Sequence, residues 1–380
     1  MALVQVIMAI HLTSGNRLRD YTLTTDMTSS DAGTAMWAFA EREGFDYFVK
    51  CFLTPVFPDS DAPGSERSKA LKRARCEEFE SRMNVVESTL QACGNENFLV
   101  RCVDFFREHG TYFKITKKIH PARLNVSELP AGKLMLVLLS AAYSLKILHE
   151  HSSFIHADIK PENFMIQRAG TGLIANLIDF DAGFFMGHAP ATDSLIGDQR
   201  YWAPELIAWL AHDARSNRAR RPALMQSLDV FSLGLTCCEY LTGRLPVFPE
   251  NYGYAGEAVL DDAVLEIPHS VQADLEPLMG LIQEMLHKNP LNRPSAATIH
   301  EKLRDFNREH FVSDTTYRKI ATSLKSNLVS SGESLRAMAK TRPTKSASRL
   351  DSDLKVRGLK AGEPTETASI GRRLRFRSKA

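Results

Sequence analysis

The chain has 380 residues, 44% of them hydrophobic and 24% charged. These are ordinary values for a soluble globular protein; they exclude a wholly disordered chain and leave room for more than one lobe around a large core. The formal net charge of +2 conceals a split: residues 314–380 carry 16 Lys/Arg against 6 Asp/Glu, the preceding 313 carry 31 against 39, and so the acidic body and basic tail are read separately.

The six cysteines, Cys51, Cys76, Cys93, Cys102, Cys237 and Cys238, form no Cys-x-x-Cys pair and have no His cluster at metal-ligand spacing. That usage suits a reduced, intracellular chain, and a cytoplasmic setting is expected. The first residues, MALVQVIMAI, are apolar, but they fall short of the ~20 needed to span a bilayer and no basic residue precedes them. Residues 1–19 are read as a leader, with a buried strand as its best local structure. No transmembrane segment is expected elsewhere.

From Asp20 the pattern suits three antiparallel strands, RDYTLTTDM, TAMWAFAER and DYFVKCFL, rich in β-branched and aromatic residues. Between the first two, TSSDAGTA brings small residues together, among them Thr28, Ser30 and Gly33, as a loop that cradles phosphate requires. An ordinary polar hairpin has the same composition. Lys50 lies in FVKCF, and its same-face neighbours Phe48 and Phe52 mark that face as buried. A buried ammonium needs an anionic partner. A charged helix over Glu66 to Cys93 offers Glu80 and Glu87, two turns apart on nearly one face; counting back from the next strand favours Glu87.

FLVRCVDFF and TYFKITKKI supply two more strands, IHPARLNVSELP a connector, and AGKLMLVLLSAAYSLKILHEH a long apolar helix fit for the centre of a fold. Short strands around FMI and LIANLID follow, then a loop from Phe180 to Trp202 and three helical stretches ending near Phe311. The fold class is α+β: a small antiparallel sheet with one helix over residues 20–119, then a mainly helical lobe over 120–311. Residues 312–380 are Ser/Thr-rich and basic, and are expected to be largely disordered.

The chemistry concentrates in FIHADIKPEN, where His156, Asp158, Lys160 and Asn163 fall within eight residues. Sixteen residues beyond Asn163 stands Asp179, at the head of the acidic stretch DFDAG. A carboxylate, an ammonium and a carboxamide, with a second carboxylate downstream, suit phosphoryl transfer. That reaction needs a group to orient a hydroxyl, a cation on the phosphate and oxygen ligands for Mg²⁺.

In order and spacing these pieces resemble the eukaryotic-like Ser/Thr protein kinase family, a bilobal fold, over residues 20–311. The resemblance implies ATP and Mg²⁺ as cofactors and protein Ser/Thr hydroxyls as substrate. It places Lys50 on the ATP phosphates, positioned by Glu87, with Gly33 and Ser30 in the phosphate loop. Asp158 becomes the catalytic base and Lys160 the γ-phosphate cation, while Asn163 and Asp179 become the metal ligands. Glu205 in APE, with Arg293, and Asp229 in LDVFSLG take structural roles. Glu162 suggests a basic residue upstream of the phosphosite. The basic tail, with Arg373, Arg375 and Arg377 before Ser378, suggests an autophosphorylation segment or a dock for an acidic partner.

Four positions depart from the family pattern. Only Gly33 remains of its glycine loop. Ala157 replaces an Arg that binds a phosphorylated activation loop, so activity independent of phosphate on Thr192 or Ser194 is expected. Asp181 stands at a Gly position. Asp198 replaces a Thr and is expected to repel Asp158 or to pair with Lys160. An active kinase is the leading reading because every chemically required residue is present; the alternative is a pseudokinase, a nucleotide-binding or scaffolding module.

Overall fold

A computed structural model describes residues 12–29, 35–59, 61–94, 98–192, 195, 197–212 and 221–311. The basic tail and the first eleven residues lie outside the described residues. The first lobe is a six-stranded antiparallel sheet in the order β1-β2-β3-β4-β6-β5. Its strands are β1 (Arg17–Leu18), β2 (Tyr21–Leu23), β3 (Ala35–Arg42), β4 (Phe45–Phe52), β5 (Cys102–Glu108) and β6 (Thr111–Lys117). The sheet thus begins at Arg17, ahead of the start expected at Asp20, because Arg17 and Leu18 pair with Thr22 and Tyr21.

Turn chemistry sets the registers. β3 and β4 join through Glu43 and Gly44, both at positive φ, and β5 and β6 through His109 and Gly110, also both positive. Two left-handed residues in a row match the twist of a tight hairpin. The registers that result put Lys50 directly opposite both Trp37 on β3 and Lys114 on β6.

Helix α1 (Glu66–Cys93) starts at an N-cap, Ser65, whose side chain accepts from the Ser68 N–H, and stops at Gly94, at φ 66°. Cys76 and Met83 pack with Phe52 and Tyr112 against the sheet. Val86, Leu90 and Cys93 join instead the larger core of the second lobe. The helix therefore links the two hydrophobic clusters along one face.

The second lobe is built around α2 (Ala131–His151), whose side chains are buried through most of its length. This helix is long and apolar enough to cross a membrane, but its apolarity is spent on core packing. Around it lie β7 (Phe154–Ile155) paired with β10 (Phe184–Phe185), and β8 (Phe164–Ala169) paired with β9 (Gly172–Leu177). Then follow α3 (Pro204–Ala211), α4 (Ser227–Thr242), α5 (Ala255–Leu260), α6 (Met279–Met285) and α7 (Ala296–His310). Gly183, before β10, has no room for a side chain: a Cβ there would lie 2.1 Å from the Phe154 ring and 2.7 Å from the Ile155 carbonyl.

Helix α7 buries Ile299, His300, Leu303 and Asn307. His300 meets the Tyr143 ring of α2 at 5.2 Å, and its Nδ1 is buried without a hydrogen-bond partner. Burial, reinforced by Lys146 and Arg304, lowers its pKa from 6.5 to about 4. The unfolded chain thus binds a proton that the folded chain refuses, so this contribution to stability is complete above pH 6.5 and lost as pH falls toward 4. Between pH 7 and pH 4.5 the wild type is expected to lose roughly 2 kcal/mol more than His300→Phe, at about 1.4 kcal/mol per pKa unit. Urea unfolding at the two pH values measures this; equal losses would refute it.

Candidate active site

The site is anchored from below by Asp229, fully buried on α4. Its carboxylate accepts from the His156 N–H at 2.7 Å, the Ala157 N–H at 2.8 Å and His149 Nε2 at 3.0 Å. These bonds hold Ala157 at φ 63°, a left-handed conformation that costs a non-glycine residue about 1–2 kcal/mol. The reversal delivers Asp158 to the cleft between the lobes. His156 Nε2 donates to the Ile178 carbonyl at 3.0 Å and its ring meets the buried Phe180 ring at 5.1 Å, so the segment leading to Asp179 is fixed from the same loop.

Three donors surround the Asp158 carboxylate. Lys160 Nζ lies 2.9 Å from Oδ2 and Asn163 Nδ2 lies 2.9 Å from the same oxygen. The Asp198 N–H donates to Oδ1 at 3.0 Å. Gly197 permits that approach, since a Cβ there would fall 2.8 Å from Trp202 Nε1 and 3.5 Å from Asp158 Oδ1. Asn163 also donates to the Asp158 backbone carbonyl at 2.6 Å. Its amide hydrogens are thereby committed, and its carboxamide oxygen remains for another partner. The Ile178 N–H donates to the Asn163 carbonyl at 3.0 Å, which ties the loop to the segment between β9 and Asp179.

Asp179 adopts φ 59° and ψ 72° and takes Lys50 Nζ at 2.9 and 3.0 Å on its two oxygens. Lys50 also lies 2.8 Å from Asp181 Oδ2, while Lys114 Nζ lies 2.7 Å from Asp181 Oδ1. Burial opposes ionisation of Asp181, but the Lys114 and Lys50 ammoniums outweigh it and hold the carboxyl well below the usual range. Burial likewise works against the charge on Lys50, and Asp181 and Asp179 together overcome it and raise its pKa.

The expected pairing of Lys50 with Glu87 is not formed. Glu87 accepts from the Cys102 N–H at 2.9 Å and from Gln91 at 3.2 Å, and burial raises its pKa. Glu80, the other carboxylate considered, takes the Tyr112 hydroxyl at 2.6 Å and Arg107 at 3.2 Å. Among the described residues, Lys50's ion pairs are with Asp179 and Asp181. Helix α1 reaches the site through Arg82 instead, which donates to the backbone carbonyls of Asp181 and Gly183.

Nor does the Asp198 side chain face Asp158. It caps the turn over Gln199–Tyr201, accepting from the Arg200 N–H at 3.0 Å and from the Arg200 guanidinium at 2.6–3.1 Å. Burial pushes its pKa up, and Arg200 more than reverses that. Glu205 and Arg293 form the expected buried pair, bidentate at 2.7 and 2.8 Å. Ser30, Gly33 and Ser194 lie outside the described residues; Thr192 is exposed. Lys114, Arg82 and Arg200 carry no motif in the sequence, although Lys114, like Lys50, has an apolar residue on either side, Phe113 and Ile115.

Residues 64–303 match the protein kinase domain family, more than half of the chain. A Xenopus laevis serine/threonine-protein kinase ULK3 is 25% identical over 285 residues, covering 73% of this chain and 54% of that protein. Mitogen-activated protein kinase kinase 1 of Arabidopsis thaliana is 25% identical over 239 residues, 58% of this chain and 63% of that protein. The chain thus spans about half to two thirds of the length of these relatives. A double mutant of the Mycobacterium tuberculosis PknI kinase domain shares the fold, with a TM-score of 0.50 at 18% identity, over 78% of this chain and 98% of that one.

Replacing Asp229 by Ala would orphan the buried His156 and Ala157 N–H groups, at about 1–3 kcal/mol each. Urea unfolding of Asp229→Ala should show a loss of roughly 2–6 kcal/mol; a loss below 1 kcal/mol would mean that the loop is held otherwise.

Proposed function

The chain belongs to the protein kinase family, and on that footing we propose that it is an active serine/threonine kinase, transferring the γ-phosphate of ATP to protein hydroxyls. The observation that carries this reading is the Asp158 carboxylate, held by Lys160, Asn163 and the Asp198 N–H. In the proposed step Asp158 orients a substrate Ser or Thr hydroxyl and accepts its proton. The hydroxyl oxygen bonds to the γ-phosphorus as the bond to the β-phosphate oxygen of departing ADP breaks. Lys160, 2.9 Å from Asp158, is placed to follow the charge that develops on the transferred group. Lys50 pairs with the α- and β-phosphates.

The donor set fits Mg²⁺: a carboxylate from Asp179 and a carboxamide oxygen from Asn163, whose NH₂ is already committed to Asp158, are hard oxygen ligands. When bound, the ion neutralises charge on the phosphates. Ser30 and Gly33 are proposed to line the phosphate loop.

Substrate choice has a modest signature. Glu162 is exposed, which supports a basic residue in the substrate. Arg200 stands 3.8 Å from Glu162 and partly neutralises it, so the preference is expected to be weak. The basic tail would serve as an autophosphorylation segment or dock on an acidic partner. All six cysteines are free and five are buried, which supports a reducing, intracellular setting.

A scaffold reading has one observation behind it, the Asp181 carboxylate that competes for Lys50. Radiolabelled ATP separates the two. Wild type with Mg²⁺ should label itself or a basic protein, and Asp158→Asn should label about 10²- to 10⁴-fold more slowly, the range for loss of a general base, while ATP still raises its melting temperature. Nucleotide binding with no labelling by the wild type would leave the scaffold.

Ala157 offers no guanidinium to a phosphate on the activation segment. Thr192→Ala is therefore expected to retain turnover within about twofold, since a phosphate there would lack its bidentate partner. Abolished turnover with intact ATP binding would contradict phosphorylation-independent activity.

A further inference from the structure

Two lysines face each other across neighbouring strands. Lys50 and Lys114 are direct partners in the β4–β6 register, so their side chains leave the sheet on one face. Like charges so placed repel, and one of the two is deeply buried: the side chains of Lys114 and Lys50 are 8% and 19% exposed. Asp181 resolves the conflict with one oxygen for each, Oδ1 at 2.7 Å from Lys114 and Oδ2 at 2.8 Å from Lys50. Its backbone is fixed in turn by Arg82 from α1, through the Asp181 and Gly183 carbonyls. The charges alternate outward, Lys114, Asp181, Lys50, Asp179, and exposure rises along the row to 38% at Asp179.

We infer that Lys114 and Asp181 are positioning residues that set the Lys50 ammonium beside Asp179 and keep it available to a polyphosphate. The charge count carries the argument. Lys114, Asp181 and Lys50 together retain one positive charge; with Asp179 the row is neutral. Without Lys114 the remaining three groups sum to −1 and Lys50 is shared by two carboxylates with no second ammonium to offset Asp181; the Arg82 guanidinium on the Asp181 and Gly183 carbonyls adds one positive charge in either case. With Lys114, Asp181 can orient Lys50 without cancelling it. Asp181 thus does not disable the site by itself; it requires the lysine on the next strand. The inference rests on the kinase reading for the identity of the phosphate ligand, but not for the positioning of Lys50.

The test is a rescue with two readouts. Lys114→Met, an apolar replacement of similar length, should raise the KM for MgATP at least tenfold with kcat changed less than threefold. Adding Asp181→Gly to it removes the surplus carboxylate and should return KM to within threefold of wild type. In nucleotide-free protein, acylation of Lys50 by acetic anhydride, followed by mass spectrometry, should slow at least threefold in Lys114→Met and recover in the double variant. Asp181→Asn, which keeps the side-chain shape, should instead accelerate it. Unchanged acylation in Lys114→Met and Asp181→Asn, or no recovery in the double variant, overturns the inference. Acylation that follows the expected order while the wild type transfers no phosphate upholds the positioning of Lys50 and removes the kinase reading instead.

Discussion

The site depends on one buried carboxylate. Asp229 binds two consecutive backbone N–H groups, those of His156 and Ala157, and has no exposed surface. Consecutive amides can converge on one acceptor only if the chain bends sharply, and the left-handed Ala157 is that bend. The loop's functional side chains, Asp158, Lys160 and Asn163, follow within six residues of it, and the Asn163–Ile178 backbone bond ties the segment before Asp179 to the same loop. An Arg at 157 is therefore not required for the loop to form, because the backbone conformation comes from α4 and not from the side chain.

The second constraint is electrostatic and lies on the other lobe. Burying an ammonium costs several kcal/mol unless it is paired, and here a buried one lies beside a second that is partly buried. Asp181 stands between the two ammoniums and faces both, while Asp179 takes Lys50 from its more exposed side. That solution needs a side chain at position 181, whereas a glycine there would leave Lys114 without its partner. The departure at Asp181 and the polar residue at 114 are thus two halves of one arrangement.

Much of this was legible beforehand. The limits of α1 and α2 and the antiparallel sheet follow from residue composition and apolar patterning, and the buried Glu205–Arg293 pair is what the family resemblance implies. What sequence could not supply was the choice among competing partners. Glu87 does lie on the inward-facing side of α1, beside the buried Val86, but the Cys102 N–H reaches it first and two nearer carboxylates claim Lys50. Helical spacing identifies a face, not a contact. Lys114 also has an apolar residue on either side, Phe113 and Ile115, yet its meaning appears only once the register sets it opposite Lys50. The conformation of the loop containing Ser30 and Gly33 is not among the described residues.

Asp198 illustrates why a charge read in sequence can mislead about the charge felt at a site. As a residue type it promised repulsion of Asp158. In place, its backbone N–H donates to Asp158 while its carboxylate turns back to cap a short turn and binds Arg200 from two sides. A carboxylate neutralised within its own turn presents to Asp158 the Asp198 N–H as a donor, not a second negative charge. The same guanidinium then lies within 3.8 Å of Glu162, so the local turn chemistry that removes the repulsion also tempers the acidity of the surface a substrate would approach. Arg200 thus stands between Asp198 and Glu162, and a change there would alter the surroundings of both carboxylates.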